Sequence, residues 1–325
     1  MLRYKCNYVN IGQDERKIMM EISVIMATYK EKIKLLKVAI ESILKQTYNN
    51  FEFIIILDNP ENIEHIRCIE NYQKNDDRIR FYINEKNMGL TKTLNKALSL
   101  SKGKYICRMD ADDVSMPDRI EKQLHYLNQY HYDLIGGLSH MIDENGKTIY
   151  SIKKVPTDFN KIKKCIKYNQ VISHPTWFGK KEVFDKLNGY RNMPLCEDYD
   201  FTLRAILQGF KISNVNECVL KYRMTKDSIS RSNLFEQYLF ARYITKQYSE
   251  GKVSEVEEAK AYVKKNLSDK NAKRYLKGNE RFNNALNNLE EKQYIQFIAN
   301  GIALLFTSKY YLDKIFRFVM VYLNS

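Results

Sequence analysis

The chain is organised around the stretch Tyr105-Ile-Cys-Arg-Met-Asp110-Ala-Asp112-Asp113, in which three carboxylates directly follow a short apolar run. The apolar run is typical of a buried strand. Carboxylates this close repel one another, and removing them from water is costly unless a cation or hydrogen-bond donors compensate. A hard divalent metal would compensate, because it takes oxygen ligands and often shares them with phosphate oxygens. An Asp-rich turn that caps the next helix would explain the same residues without a ligand.

Strands and helices alternate before this stretch, since apolar runs of strand length are separated by apolar residues at helical spacing. The predicted order is strand 22–26, helix 34–45, strand 51–57, helix 63–73, strand 80–84, a helix from 90 that Gly103 terminates, and strand 105–109. This alternation predicts an α/β fold with helices on both faces of a mostly parallel, Rossmann-like sheet. Ligands bind such sheets at the carboxyl ends of the strands, where Thr28, Asp58 and Asp110 lie. A nucleotide site at this edge is therefore favoured over a capped turn.

The glycine-rich motifs that usually hold phosphates are missing. The chain has neither Gly-x-Gly-x-x-Gly nor the P-loop Gly-x-x-x-x-Gly-Lys. No glycine-rich loop is then present to hold a diphosphate through backbone amides. We expect a metal on the carboxylates to take that role, in a reaction other than hydride transfer.

After the acidic stretch the pattern changes to antiparallel structure. Ser115 is a suitable cap for the next helix. A strand is expected at 133–137, and Asp143-Glu-Asn-Gly146 predicts a hairpin turn. These segments would form the second half of the same domain.

A second acidic cluster, Glu197, Asp198 and Asp200, begins a later predicted helix. Capping of the helix explains one of these carboxylates but not three. Before this cluster, His174 lies close to Trp177, the single tryptophan. A histidine of this kind is usually a structural hydrogen-bonding residue, but aromatic rings beside polar groups also form platforms on which sugar rings stack.

Taken together, these motifs resemble the family 2 glycosyltransferases, which are inverting enzymes with the GT-A fold. The resemblance extends to bacterial enzymes that build capsule, exopolysaccharide or O-antigen, including lipopolysaccharide. It covers roughly residues 21 to 225, and the matching segments are Ser23–Tyr29, Asp58, Asn87–Leu90, Asp110–Asp113 and Glu197–Asp200. The order and context of five motifs make the resemblance specific.

The resemblance implies a role for each matching position on the donor side. The residues implied in nucleotide binding are Thr28, Tyr29, Glu31, Asp58 and Asp110. Asp58 would hydrogen-bond the base, typically uracil, and Asp110 would lie towards the ribose. Asp112, with Asp110, would ligate Mn²⁺ or Mg²⁺ at the diphosphate. The role of Asp113 is left open, with Arg119 as one candidate partner.

On the acceptor side, the resemblance implies that Asp198 is the general base and that Glu197 and Asp200 support it. His174 and Trp177 would lie near the acceptor. The implied activity is metal-dependent transfer of a sugar from a nucleotide-sugar to a hydroxyl of a growing, lipid-linked surface polysaccharide. UDP is the expected nucleotide. Because Leu57-Asp58-Asn59-Pro60 departs from the family's usual acidic motif, dTDP- and GDP-sugars stay open.

Composition and charge limit the partners and the compartment. The 325-residue chain has 53 Lys and Arg residues against 39 Asp and Glu residues, which gives a formal net charge of +14. Such a surplus suits nucleic acid, an anionic membrane or a polyphosphate substrate, but no nucleic-acid module is recognised, so we expect no such partner. The six cysteines lack zinc-site spacing. A cytoplasmic protein is expected, with peripheral contact at the inner face of the membrane as an open question.

Three segments are expected: an extension over 1–20, a GT-A domain over 21–228 and a helical region over 229–325. Apolar residues at helical spacing recur at 295–305, and a basic, aromatic run follows at 315–323. This tail either packs on the catalytic domain or on a second subunit of a homo-oligomer, which is favoured, or lies in the membrane interface.

Two other classes of protein remain as alternatives. A non-catalytic carbohydrate-binding or scaffold protein could keep the same fold, although both acidic clusters are intact. A nucleotidyltransferase would use the same sheet, but it usually needs a glycine-rich phosphate loop, and Ala27-Thr-Tyr-Lys30 is not one.

Overall fold

The computed structural model of the protein describes residues 21–224 and 233–325. The extension predicted for 1–20 and the domain boundary predicted at 228 lie outside these residues. Within the described residues, nine strands form one mixed sheet. The strands are β1 (Ile22–Thr28), β2 (Phe51–Leu57), β3 (Ile79–Ile83), β4 (Tyr105–Asp110), β5 (Val114–Ser115), β6 (Leu134–Ile142), β7 (Thr148–Ser151), β8 (Phe178–Lys180) and β9 (Ile212–Arg223).

Helices cover both faces of this sheet and form the C-terminal region. They are α1 (Ile33–Leu44), α2 (Ile63–Asn75), α3 (Leu90–Leu100), α4 (Arg119–Gln129), α5 (Phe159–Cys165), α6 (Lys181–Lys186), α7 (Glu197–Leu207), α8 (Leu234–Ser249), α9 (Val256–Asn266), α10 (Asp269–Glu290), α11 (Tyr294–Leu305) and α12 (Lys309–Asn324). A short helical turn at His174–Thr176 precedes β8. The predicted α/β class is confirmed.

The sheet has the order β3-β2-β1-β4-β8-β6-β9-β5, with β7 paired to β6. The first four strands in this order are parallel, as the alternation of strands and helices predicts. Thr28 is in register with Leu57, and Ala27 with Asp110. The polar residues at the carboxyl ends of three strands therefore meet at one edge of the sheet.

Two local predictions are wrong. Ser115 does not cap α4 but pairs with Leu220 of β9 as part of β5, and α4 begins only at Arg119, after Asp118. Gly103 does not terminate α3, which ends at Leu100. A Cβ at Gly103 would lie 2.6 Å from the Ile22 carbonyl carbon, so glycine is needed there for close approach to β1.

The C-terminal helices pack on the catalytic domain. Tyr275, Tyr310 and Tyr311 belong to the same buried apolar cluster as Phe201 of α7. Arg317 of α12 donates to the Tyr168 carbonyl at 2.9 Å, next to α5. Of the alternatives predicted for the C-terminal tail, packing on the catalytic domain therefore applies to α12. None of the helices in the described ranges has the length and apolar character needed to cross a membrane.

Candidate active site

The loop after β1 is held by a compact hydrogen-bond network. Thr28 Oγ1 donates to Glu31 Oε2 at 2.6 Å, and the Tyr29 amide donates to the same oxygen at 2.8 Å. His65 from α2 completes the network, because its Nε2 lies 2.8 Å from the Glu31 carbonyl oxygen. Thr28 is buried, whereas the Tyr29 ring is exposed. Of these predicted nucleotide-binding residues, Tyr29 has a ring that is accessible to a ligand. Thr28 and Glu31 stabilise the conformation of the loop through their hydrogen bonds.

Asp58, at the end of β2, organises the turn that leads into α3. Its Oδ1 accepts hydrogen bonds from Asn84 Nδ2 at 2.7 Å and from the Met88 amide at 2.8 Å. Its Oδ2 accepts from the Gly89 amide at 2.8 Å. Gly89 has a φ of 81°, a conformation that suits glycine. The carboxylate thus supports the Asn87–Leu90 motif, and Oδ2, which accepts one hydrogen bond where Oδ1 accepts two, keeps a lone pair for a nucleotide base.

The acidic stretch after β4 contains three carboxylates in different environments. Asp113 is buried, and its Oδ1 accepts from the Arg223 amide at 2.7 Å, while Arg223 Nε donates to the Asp112 carbonyl at 2.7 Å. Arg223 of β9 is therefore the partner of Asp113. Arg119, the candidate suggested by the sequence, instead donates to Gln123. Burial and the charges of Asp110 and Glu31 raise the pKa of Asp112 to about 7.

Arg108, two residues before Asp110 on β4, is a buried cation that sequence reasoning missed. It forms an ion pair with Asp110, and its Nε has no hydrogen-bond partner among the described residues. Burial raises the pKa values of Glu197 and Asp198, and the charge of Arg108 partly opposes that rise. The signal in the sequence was an arginine inside an apolar strand, directly before a cluster of acids.

The second acidic cluster lies at the N-terminus of α7. Asp198 Oδ1 accepts a hydrogen bond from the Tyr199 amide at 2.7 Å, as is typical of a carboxylate at a helix N-terminus. Burial raises the pKa of Asp198 above its usual range. Burial and the charge of Asp198 raise the pKa of Glu197 to about 7. These two carboxylates are therefore held next to each other with elevated proton affinity.

Asp200 is buried and pairs with two arginines, Arg191 and Arg204. Its Oδ2 accepts from Arg204 Nε at 2.8 Å and from Arg191 Nε at 3.0 Å. Through its ion pair with Arg191, Asp200 ties α7 to the preceding loop.

His174 and Trp177 do not form an exposed platform. Trp177 is fully buried, and its ring stacks on Tyr190 with 6.1 Å between centroids. His174 Nε2 lies 2.9 Å from the Tyr190 hydroxyl, and burial lowers the pKa of His174 well below its usual range. The expectation that Trp177 stacks on a sugar does not fit this burial, because the ring is packed against Tyr190 and Phe201 and no part of it is exposed. His174 is a neutral structural histidine.

The two acidic clusters interact electrostatically. The negative charge of Asp110 raises the pKa of Glu197, and the positive charge of Arg108 acts on both clusters. Tyr190 also lies within electrostatic range of Asp110, Glu197 and Asp198. The cluster at the end of β4 and the cluster at the start of α7 therefore lie close enough to influence each other's ionisation.

A divalent cation fits the first cluster by donor chemistry. Asp110 and Asp112 offer only oxygen ligands, and Asp113 Oδ2 is buried without a hydrogen-bond partner among the described residues. The described part of the chain contains no group of three or more His, Cys, Asp or Glu side chains arranged around a common point. Two carboxylates and the oxygens of a bound diphosphate would complete a coordination shell of the kind that Mg²⁺ uses.

Comparison with known proteins identifies the family of this chain. A family model described as Glycosyl transferase family 2 matches residues 23–187. The chain belongs to this family. The relatives of this glycosyltransferase include the uncharacterized glycosyltransferase MJ1057 of Methanocaldococcus jannaschii, which is 38% identical over 71% of this chain and 80% of the relative.

Two relatives from Escherichia coli have more specific names. The O-antigen biosynthesis glycosyltransferase WbnJ is 36% identical, with 70% of this chain and 88% of the relative covered. The UDP-Gal:alpha-D-GlcNAc-diphosphoundecaprenol beta-1,3-galactosyltransferase is 31% identical, with 70% and 86% covered.

The fold of this glycosyltransferase is shared with a solved structure. The crystal structure of S. aureus TarS 1-349 in complex with UDP-GlcNAc matches with a TM-score of 0.59 and covers 75% of this chain and 70% of that one. At 20% identity, the likeness shows the fold, which is the GT-A fold that the motifs imply.

Proposed function

We propose that this glycosyltransferase transfers a sugar, with inversion, from a UDP-sugar to a hydroxyl of a lipid-linked saccharide during assembly of a surface polysaccharide. The observation that carries the proposal is the pair of acidic clusters that share Arg108 at the carboxyl edge of the sheet. The names of the E. coli relatives support the pathway and the acceptor. The TarS complex supports UDP as the nucleotide.

The donor side is formed by the ends of β1, β2 and β4. Tyr29 and Asp58 would contact the base, while Thr28 and Glu31 hold the loop that carries Tyr29. Asp110 would bind the ribose, and its ion pair with Arg108 fixes its orientation. When bound by Asp112 and Asp110, Mn²⁺ or Mg²⁺ would supply a Lewis acid that stabilises charge on the leaving diphosphate.

The acceptor side depends on Asp198. Its carboxylate would take the proton from the acceptor hydroxyl as that oxygen attacks the anomeric carbon from the face opposite the diphosphate. One displacement of this kind inverts the anomeric centre, and a positioned base contributes about 10²- to 10⁴-fold. The raised pKa of Asp198 makes the carboxylate a better proton acceptor.

A lipid-linked acceptor would bring the enzyme to a membrane surface. We propose that the exposed face of α11 makes this peripheral contact, because its large apolar side chains lie in solvent. These residues are Ile295, Ile298, Ile302 and Phe306, which are 55% to 82% exposed. The net charge of +14 favours an anionic lipid surface.

Substitution of Asp198 by Asn tests the central claim. We expect turnover to fall by about 10²-fold or more, while UDP binding measured by calorimetry stays near the wild-type value. Asp185→Asn is the matched control, because Asp185 is an exposed aspartate of α6 that pairs only with Lys181 among the described residues. Turnover near wild type in Asp198→Asn would show that this carboxylate is not the base.

The product distinguishes this activity from the two alternatives. A glycosyltransferase releases UDP, a nucleotidyltransferase releases pyrophosphate, and a carbohydrate-binding scaffold releases neither. The missing glycine-rich loop after β1 argues against the nucleotidyltransferase.

A further inference from the structure

A cavity of about 230 Å³ lies between the catalytic domain and the C-terminal helices. Asp198 lines it from the catalytic side. Tyr238 of α8, Tyr275 of α10 and Lys314 of α12 line it from the C-terminal side. The cavity therefore lies between the proposed base and helices of the C-terminal region, and both lie beyond the family match, which ends at residue 187.

Lys314 is a cation without a counter-charge in the described residues. Its Nζ lies 5.4 Å and 5.3 Å from the ring centroids of Tyr275 and Tyr311, and 3.4 Å from Asn279 Oδ1. Burial lowers the pKa of Lys314, and no described carboxylate offsets this. The other cation of the cavity, Arg317, is paired with Asp313 at 3.1 Å.

A structural role accounts for Lys314 only in part. Two tyrosine rings and one amide oxygen stabilise an ammonium group, but a neutral side chain would pack at this place without the cost of desolvating a charge. Because Lys314 lines a cavity, its ammonium group is available to bind an anion. The opposite side of the cavity carries the carboxylate of Asp198, so a fitting ligand has a hydroxyl at one end and a negative group at the other.

We propose that this cavity is the acceptor site, and that Lys314 binds a phosphate group attached to the acceptor sugar. This deepens the proposed function and rests on it for the position of the reacting hydroxyl. The tyrosines form the wall along which the sugar lies. The chemistry is that of a glycosyl phosphate, whether it comes from a lipid diphosphate or from a soluble sugar phosphate.

Chemical labelling of the full-length protein tests the anion site without any catalysis. With EDTA present to remove metal-dependent binding at the donor side, an amine-acylating ester should label Lys314. Inorganic pyrophosphate at four times its Kd should slow that labelling about fivefold relative to sodium chloride of equal ionic strength. Lys309 is the internal control, because it is an exposed lysine of the same helix, also over a tyrosine ring, outside the cavity. Equal labelling of Lys314 with and without pyrophosphate overturns the proposal.

Kinetics with variants test the acceptor role. Lys314→Met should raise the KM for a glycosyl-phosphate acceptor about 10-fold and leave the KM for the donor unchanged, whereas Lys314→Arg should restore most of the loss. Lys309→Met should behave as wild type. An unchanged acceptor KM in Lys314→Met, with an unchanged melting temperature, overturns the proposal.

Two further comparisons identify the source of the phosphate group and test the anion site separately from the base. Protection by a soluble sugar 1-phosphate, by vesicles that carry a lipid diphosphate, or by both supports phosphate recognition and identifies the source. Protection by neither overturns it. If the Asp198→Asn variant keeps full turnover and pyrophosphate still protects Lys314, Asp198 is not the base, but the anion site stands. Loss of turnover in that variant without any protection of Lys314 would defeat only the anion site.

Discussion

At the scale of single residues, Arg108 gives the active site its shared positive charge. A guanidinium is rarely buried inside a strand, and here it forms an ion pair with Asp110 while its field reaches Glu197 and Asp198. Without this cation, the carboxylates would repel one another across the site. Arg108 thereby allows several acidic side chains to remain close together before any ligand binds.

Glu197 is expected to set the pH dependence of the proposed base. The charge of Asp198 raises the pKa of Glu197. Because repulsion between like charges is reciprocal, we expect the charge of Glu197 to disfavour ionisation of the adjacent Asp198 as well. Glu197→Gln removes that charge, so the pKa of Asp198 should fall. We expect the acidic limb of the pH profile of kcat/KM to move to lower pH, by about one unit.

The profile is measured at saturating metal with Glu182→Gln as the control. Glu182 is an exposed glutamate on α6 that pairs with Lys186. Loss of activity at every pH in Glu197→Gln would contradict the assignment and make Glu197 itself the base.

Sequence motifs located the carboxylates but not their environments. Asp110, Asp112 and Asp198 were found because charge directly follows an apolar run or begins a helix. Trp177 and Asp200 were assigned to the site from the same short motifs, yet one is buried in the core and the other among arginines. Burial arises from residues far away in the sequence, which a local pattern does not contain.

At the scale of elements, the turn before α7 is strained. Leu195 has a φ of 61°, which is unfavourable for a branched side chain. Gln237 of α8 donates to the Leu195 carbonyl at 3.0 Å. A helix of the C-terminal region thus stabilises the backbone conformation that positions Glu197 and Asp198.

The exposed face of α11 leads to a prediction about membranes. Ile298 and Ile302 are 57% and 55% exposed on one face. The double substitution Ile298→Asp and Ile302→Asp should greatly reduce sedimentation with anionic vesicles, because charged groups cannot enter the apolar interface. The stability of the fold should not change, since both positions lie in solvent.

The matched control substitutes Ile149 and Tyr150 by Asp, because both are exposed apolar residues in the hairpin strand β7. The oligomeric state of each protein is measured without vesicles. If the wild-type protein is a dimer and only the α11 variant is a monomer, the exposed face of α11 binds a second copy of the chain instead of a membrane.

Most strands and helices could be predicted from the local pattern of apolar residues, and the wrong predictions have physical causes. The parallel strands were visible because a strand buried on both faces is apolar along its whole length. Ser115 was mistaken for a cap because pairing with Leu220 brings in a strand from far along the sequence. Gly103 was taken as a helix end, but its close approach to Ile22 is a tertiary contact.

At the scale of the whole molecule, one core joins the catalytic domain and the C-terminal helices. Unfolding is therefore expected to be a single transition. Tyr311 is fully buried in this core, so Tyr311→Ala should lower the free energy of unfolding by about 3 kcal/mol. Fluorescence of Trp177, the single tryptophan, reports the catalytic domain and should show the same shift as circular dichroism.

Tyr322→Ala on the same helix is the control, because this side chain is 76% exposed. A Trp177 transition that does not move in Tyr311→Ala would mean that the two regions unfold independently. The sequence favoured packing of this tail but left open whether the catalytic domain or a second subunit covers it, since an apolar helix face does not specify its partner surface.

The buried guanidinium of Arg108 also constrains how this enzyme can evolve. Asp110 and Glu197 lie on different elements, yet both interact with the same cation. The fitness effect of a charge change at one position is then expected to depend on the residue at the other, so the two acidic clusters should not change independently in evolution. New substrate specificity would arise through paired substitutions, and single exchanges between relatives would often be inactive.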